Sequence, residues 1–103
     1  MMAYSAKFRQ LMEDAIGKQK QCQLAMKAEV SPGLISKIRT MGWIPDDLEA
    51  VRRLAEALDQ DADTWELTAR TERVKATLER EKLPQAGVDA AMEVIEAEIK
   101  AQY

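Results

Sequence analysis

The 103-residue chain has no histidine and a single cysteine, Cys22. The first absence removes the commonest general acid–base side chain and the commonest metal ligand. The second rules out an intrachain disulfide or a cysteine metal cluster, and points to a reducing compartment. There is also no glycine-rich phosphate loop and no nucleophile beside a base. The sequence therefore offers no catalytic residue, no metal site and no cofactor site, and no enzyme is expected. The five aromatic residues, Tyr4, Phe8, Trp43, Trp65 and Tyr103, are few for stacking on single-stranded RNA. Four glycines and three prolines leave few turn formers. No apolar run approaches a membrane span, and Met1–Lys7 lacks the apolar centre of a secretory signal. The expectation is a cytoplasmic protein without membrane contact.

What remains is rich in Ala, Leu, Glu, Lys and Arg, the residues that lose least in a helix. Hydrophobic residues at 47% and charged residues at 32% suit one folded domain with a modest core, and the fold class expected is all-α. The net charge of −3 conceals a division. Residues 1–45 hold seven basic and three acidic residues, a net +4, whereas residues 46–103 hold eight and fifteen, a net −7. A basic front can meet nucleic acid even in an acidic protein; ordinary surface variation is the plainer reading of the same split.

The apolar spacing predicts six helices. Ser5 caps the first, whose stripe is Phe8, Leu11, Met12, Ala15 and Ile16, and Gly17 ends it. A second covers about residues 21–28, burying Leu24, Ala25 and Ala28. Ser31 caps a third with Pro32 at its first position, where the missing N–H costs nothing. Leu34, Ile35 and Ile38 form its inner stripe, and Met41-Gly42 stops it. Pro45-Asp46-Asp47 starts a fourth helix with Leu48, Val51, Leu54, Ala55 and Leu58 on one face. A fifth is expected over about 64–82, and a sixth over about 88–102 with the stripe Val88, Ala91, Met92, Ile95 and Ile99.

Two short helices joined by a tight turn suggest a helix-turn-helix. The spacing strengthens that outline: Ala25, Val30 and Ile35 fall five apart. A small residue at Ala25 admits the third helix closely, Val30 plugs the turn, and Ile35 and Ile38 seat the third helix on the core. Through Gln21, Leu24-Ala25, Ala28, Val30-Ser31, Ile35-Ser36-Lys37-Ile38, Pro45, Leu48 and Leu54-Ala55-Glu56-Ala57-Leu58, the chain resembles the phage-repressor family of helix-turn-helix proteins (lambda repressor/Cro-like, XRE-type) over about residues 8–65. It departs from that pattern in three places. Glu29 stands where glycine is usual, at about 1 kcal/mol for a side chain in the left-handed region. Arg39 stands where an acidic residue is common. The loop over 40–44 lacks the usual polar turn.

The resemblance implies that the helix over about 32–40 enters the major groove of double-stranded DNA. Pro32, Gly33, Ser36, Lys37 and Thr40 would then face outward. Lys37 can donate to guanine or phosphate, Ser36 can serve either, and Gly33 permits close approach. Gln21 matches the position that contacts backbone phosphate, with Lys20, Gln23 and Arg39 as added phosphate contacts. Simple solvated surface is the alternative for each. Cys22 reads as a bystander thiol, Trp65 as core, and Glu79, Glu81, Glu93, Glu96 and Glu98 as a solvated face. Trp43 has three readings: packing on the fourth helix, which is the expectation, touching the sugar–phosphate backbone, or facing a second subunit.

The expected organisation is a helix-turn-helix domain over 1–65 and an acidic two-helix extension over 66–103. The stripe Val88, Met92, Ile95 and Ile99 either folds back on its own domain or forms a homodimer interface; the second is the working expectation. The function implied is a sequence-specific transcriptional regulator, a repressor or a phage- or plasmid-type control protein, bound as a homodimer to a palindromic operator. In the cell it would be nucleoid-associated when bound. The alternative is a protein-interaction module that uses its acidic C-terminal helices.

Overall fold

The computed structural model describes residues 3–103. Helix α1 (Ala6–Ile16) starts at Ser5, whose hydroxyl oxygen accepts from the Phe8 N–H at 3.0 Å. It stops at Gly17, where φ is positive. Helix α2 (Gln21–Ala28) ends on Glu29, which adopts the left-handed conformation at φ 58°. The Val30 N–H then reaches back to the Ala25 carbonyl at 3.0 Å, closing the turn. Ser31 caps α3 (Pro32–Met41) by accepting from the Leu34 N–H, and Gly42 ends it. All three bounds follow from local capping chemistry visible in the sequence.

Helix α4 (Leu48–Ala57) begins three residues later than the first residue of Pro45-Asp46-Asp47, because Asp47 is the cap and Pro45 is buried ahead of it. Helix α5 (Ala62–Arg80) begins at Ala62 rather than at Thr64. Asp61 caps it through the Asp63 N–H and also accepts from the Thr64 hydroxyl. Helix α6 (Gln85–Lys100) starts directly after Pro84, three residues ahead of Val88, with Gln85 bonded to Asp89 one turn on.

One core joins α1 to α5. Phe8, Met12, Ile16, Leu24, Ile35, Ile38, Ile44, Val51, Leu54 and Trp65 are its large members, and all are essentially sealed from solvent. Phe8 and Trp65 meet edge-to-face, with centroids 6.0 Å apart, a favoured aromatic geometry. The expected boundary after residue 65 falls inside α5, which continues unbroken. Ala69 belongs to the same core and Ala76 packs against it, so the helical stripe begun at Trp65 carries on past that point.

The stripe on α6 also needs correcting. Val88, Met92 and Ile99 are buried within the single chain and Ile95 is half-buried. Among the helices, α6 packs on α5 alone. The short connection over 81–84 folds α6 back as a helical hairpin, so this stripe is covered inside the chain and is not a free face for a second copy. Its opposite face exposes Ala90, Val94 and Ala97. Among the described residues, no helix is long and apolar enough to cross a membrane.

Candidate nucleic-acid interface

The α2–turn–α3 segment presents the polar positions expected of it. Ile35 and Ile38 are fully buried and hold α3 against the core, with Leu34 half-buried beside them. This leaves Pro32, Gly33, Ser36, Lys37 and Thr40 exposed on the outer side of α3. A Cβ added at Gly33 would meet nothing within 4 Å, so its backbone is open to close approach from outside. Lys20 and Gln23 are exposed near the start of α2, and Gln21 is half-buried there. Lys20, the cap residue of α2, makes no side-chain capping bond. The N-terminal N–H groups of α2 are thus left for solvent or an anion.

The surface is braced from α1. The Arg39 Nε donates to Glu13 Oε1 at 2.9 Å and Nη2 lies 3.4 Å from Oε2. Nη1 donates to the Gln21 side-chain oxygen at 2.8 Å. The Arg9 Nε donates to the Arg39 carbonyl at 2.7 Å. The hydrogen bond from Arg39 holds the Glu13 carboxyl below its ordinary range, and Glu13 raises Arg39 in return. Arg39, expected as an added phosphate contact, is therefore engaged on both sides of its fork by its own chain.

Trp43 takes a different place from the one expected of it. The segment around Tyr4 pairs antiparallel with that around Trp43: the Ser5 N–H donates to the Gly42 carbonyl at 2.8 Å, and the Ile44 N–H to the Ala3 carbonyl at 2.9 Å. The indole is half-buried and lies under the Lys37 ammonium, 5.2 Å from Nζ to the ring centre. Such a cation–π contact at an exposed site contributes about 0.5–1 kcal/mol, enough to bias Lys37 and too little to hold it. Gly42 is required here twice over. Its φ is +70°, and a Cβ would drive into the Ser5 carbonyl.

Sequence reasoning missed Glu13, Arg9 and Trp43 as parts of this surface. Glu13 left one signal, as one of only three acidic residues in the basic front. Cys22 is exposed and unpaired in any disulfide. Among the described residues, no group of three or more acidic, cysteine or histidine side chains could hold a metal ion. No family model, no curated protein and no solved structure matches this chain.

Proposed function

We propose that this chain is a sequence-specific, double-stranded DNA-binding regulator of the helix-turn-helix kind, reading the major groove with α3. The observation that carries the proposal is the exposed, largely uncommitted polar face of α3 and the start of α2, seated on buried Ile35 and Ile38. Lys37 is the principal base-edge or phosphate donor and Ser36 its neighbour. Gln21, Lys20 and Gln23 grip phosphate, and Thr40 lines the far end. The regulator works in the cytoplasm, on the nucleoid, as a repressor or a phage- or plasmid-type control protein. It binds a palindrome as a homodimer, and that pairing must use a surface other than Val88, Met92, Ile95 and Ile99.

Selection of bound sequences from a random duplex pool tests the proposal. A palindromic consensus whose binding weakens steeply with salt is the expected result. No duplex binding at low salt would end it. A second reading draws on the exposed acidic residues of α6, Glu93, Glu96 and Glu98. It makes the chain a protein-interaction module, and a stoichiometric protein partner bound without DNA would favour it.

A further inference from the structure

We infer that Arg39 is a positioning residue for Gln21 and not a phosphate contact of its own. It fixes the Gln21 carboxamide as a pure hydrogen-bond donor toward an anionic oxygen of the DNA backbone. The inference rests on the DNA-binding reading above and assigns one residue within it.

A guanidinium carries N–H donors and no acceptor. The 2.8 Å contact between Arg39 Nη1 and Gln21 Oε1 therefore turns the amide oxygen of Gln21 inward and its NH₂ group away from Arg39. That NH₂ group donates to nothing among the described residues. Gln21 opens α2, beside exposed Lys20 and the uncapped N–H groups of that helix. Phosphate oxygens only accept, so a carboxamide locked with its nitrogen outward matches them, and one free to turn would offer its oxygen as readily.

Arg39 itself is poorly placed to leave this task. Both edges of its fork are taken, by Glu13 on α1 and by Gln21 on α2, and Arg9 holds its carbonyl. The Glu13 carboxylate at 2.9 Å cancels its charge locally and would repel a phosphate brought to the same spot. The pair is net neutral toward the DNA, and its output is the orientation of a neutral side chain.

The test uses the selected duplex and the full chain. Gln21→Ala should lower affinity about tenfold, the usual scale for losing one hydrogen bond to a charged group. Glu13→Gln with Arg39→Met removes both charges together and should lower affinity by a similar factor. Adding Gln21→Ala to that pair should then have little further effect. The slope of log affinity against log salt should stay as in the parent protein for all of these. Arg39→Lys keeps the charge without the fork, and should bind as weakly as the Gln21 variant while its melting temperature stays close to that of the parent.

Two results would overturn the inference while DNA binding stands. One is a slope that falls by about 0.9 in the Glu13→Gln, Arg39→Met protein, the signature of a lost phosphate contact. The other is full additivity with Gln21→Ala. Failure of the parent protein to bind any duplex is a different outcome, and it removes the DNA-binding reading itself.

Discussion

The outer face of α2–α3 and the back formed by α4–α6 handle charge in opposite ways. On the front, Lys20, Gln23 and Ser36 make no side-chain hydrogen bond among the described residues, and Lys37 only rests on Trp43. On the back, polar groups are tied to one another. Arg52 bridges Asp63 and Glu66 at 2.8 and 2.9 Å. Glu66 also accepts from the Tyr103 hydroxyl, and Arg70 donates to the Gln102 oxygen and lies over the Tyr103 ring. A surface satisfied by its own chain gains little from a new partner. One that keeps donors outward at modest expense to stability is ready for an acceptor-rich ligand. Arg39 and Gln21 stand between these modes, since internal bonds there aim an external donor.

The largest expected effect lies where front and back are joined. Ser5 caps α1, donates to Glu72 on α5 at 2.6 Å, and through its backbone meets Gly42 at the end of α3. Gly42→Ala combines a left-handed side chain with a backbone clash, and should destabilise by about 2–4 kcal/mol in urea unfolding. A loss under about 1 kcal/mol would mean that this joint yields easily.

Next is Lys37→Ala, which should weaken binding to the selected duplex about tenfold and leave unfolding nearly unchanged. Equal affinity would remove Lys37 from the reading face. Glu29→Gly relieves the left-handed glutamate in the α2–α3 turn and should raise stability by about 0.5–1 kcal/mol, a few degrees in melting temperature. An unaltered or lower melting point would show that the turn is not strained.

The smallest effect belongs to the back. Arg52→Met should lower the melting temperature slightly, less so in high salt, and leave duplex affinity unaltered. A large loss of DNA binding would erase the front–back distinction. The same cluster sets a pH signature. Hydrogen bonds from Arg52 and Tyr103 hold the Glu66 carboxyl below its ordinary value, and the Thr64 hydroxyl does the same for Asp61. A lowered folded-state value means that the stabilisation is complete above the ordinary carboxylate value, about 4, and is lost as pH falls through the folded one. Melting temperature should thus be flat from pH 7 to about 5 and decline below that, with a shallower decline in Arg52→Met.

The ends of the first three helices were legible because each is set by a residue acting on its immediate neighbours: Ser5, Gly17, Ser31 with Pro32, and Gly42. The sites of Ile35 and Ile38 were legible for the same reason, since helical periodicity alone turns them inward. The outward set on α3 followed by subtraction. The start of α6 was missed because the stripe marks only where packing begins, while the helix runs on to Pro84.

The sequence by itself determined an all-helical chain, the caps and turn of the α2–α3 pair, and which α3 side chains are left outside. These depend on interactions within a turn or two of helix. Only the tertiary structure decided what the residues far apart in sequence do for one another. It gave Arg39 to Glu13 and Gln21, set Trp43 under Lys37 through the pairing with residues 3–5, and folded the α6 stripe onto α5. Those partners are 18 and 26 residues apart for Arg39, and no local pattern encodes which of several charges will meet once the helices pack.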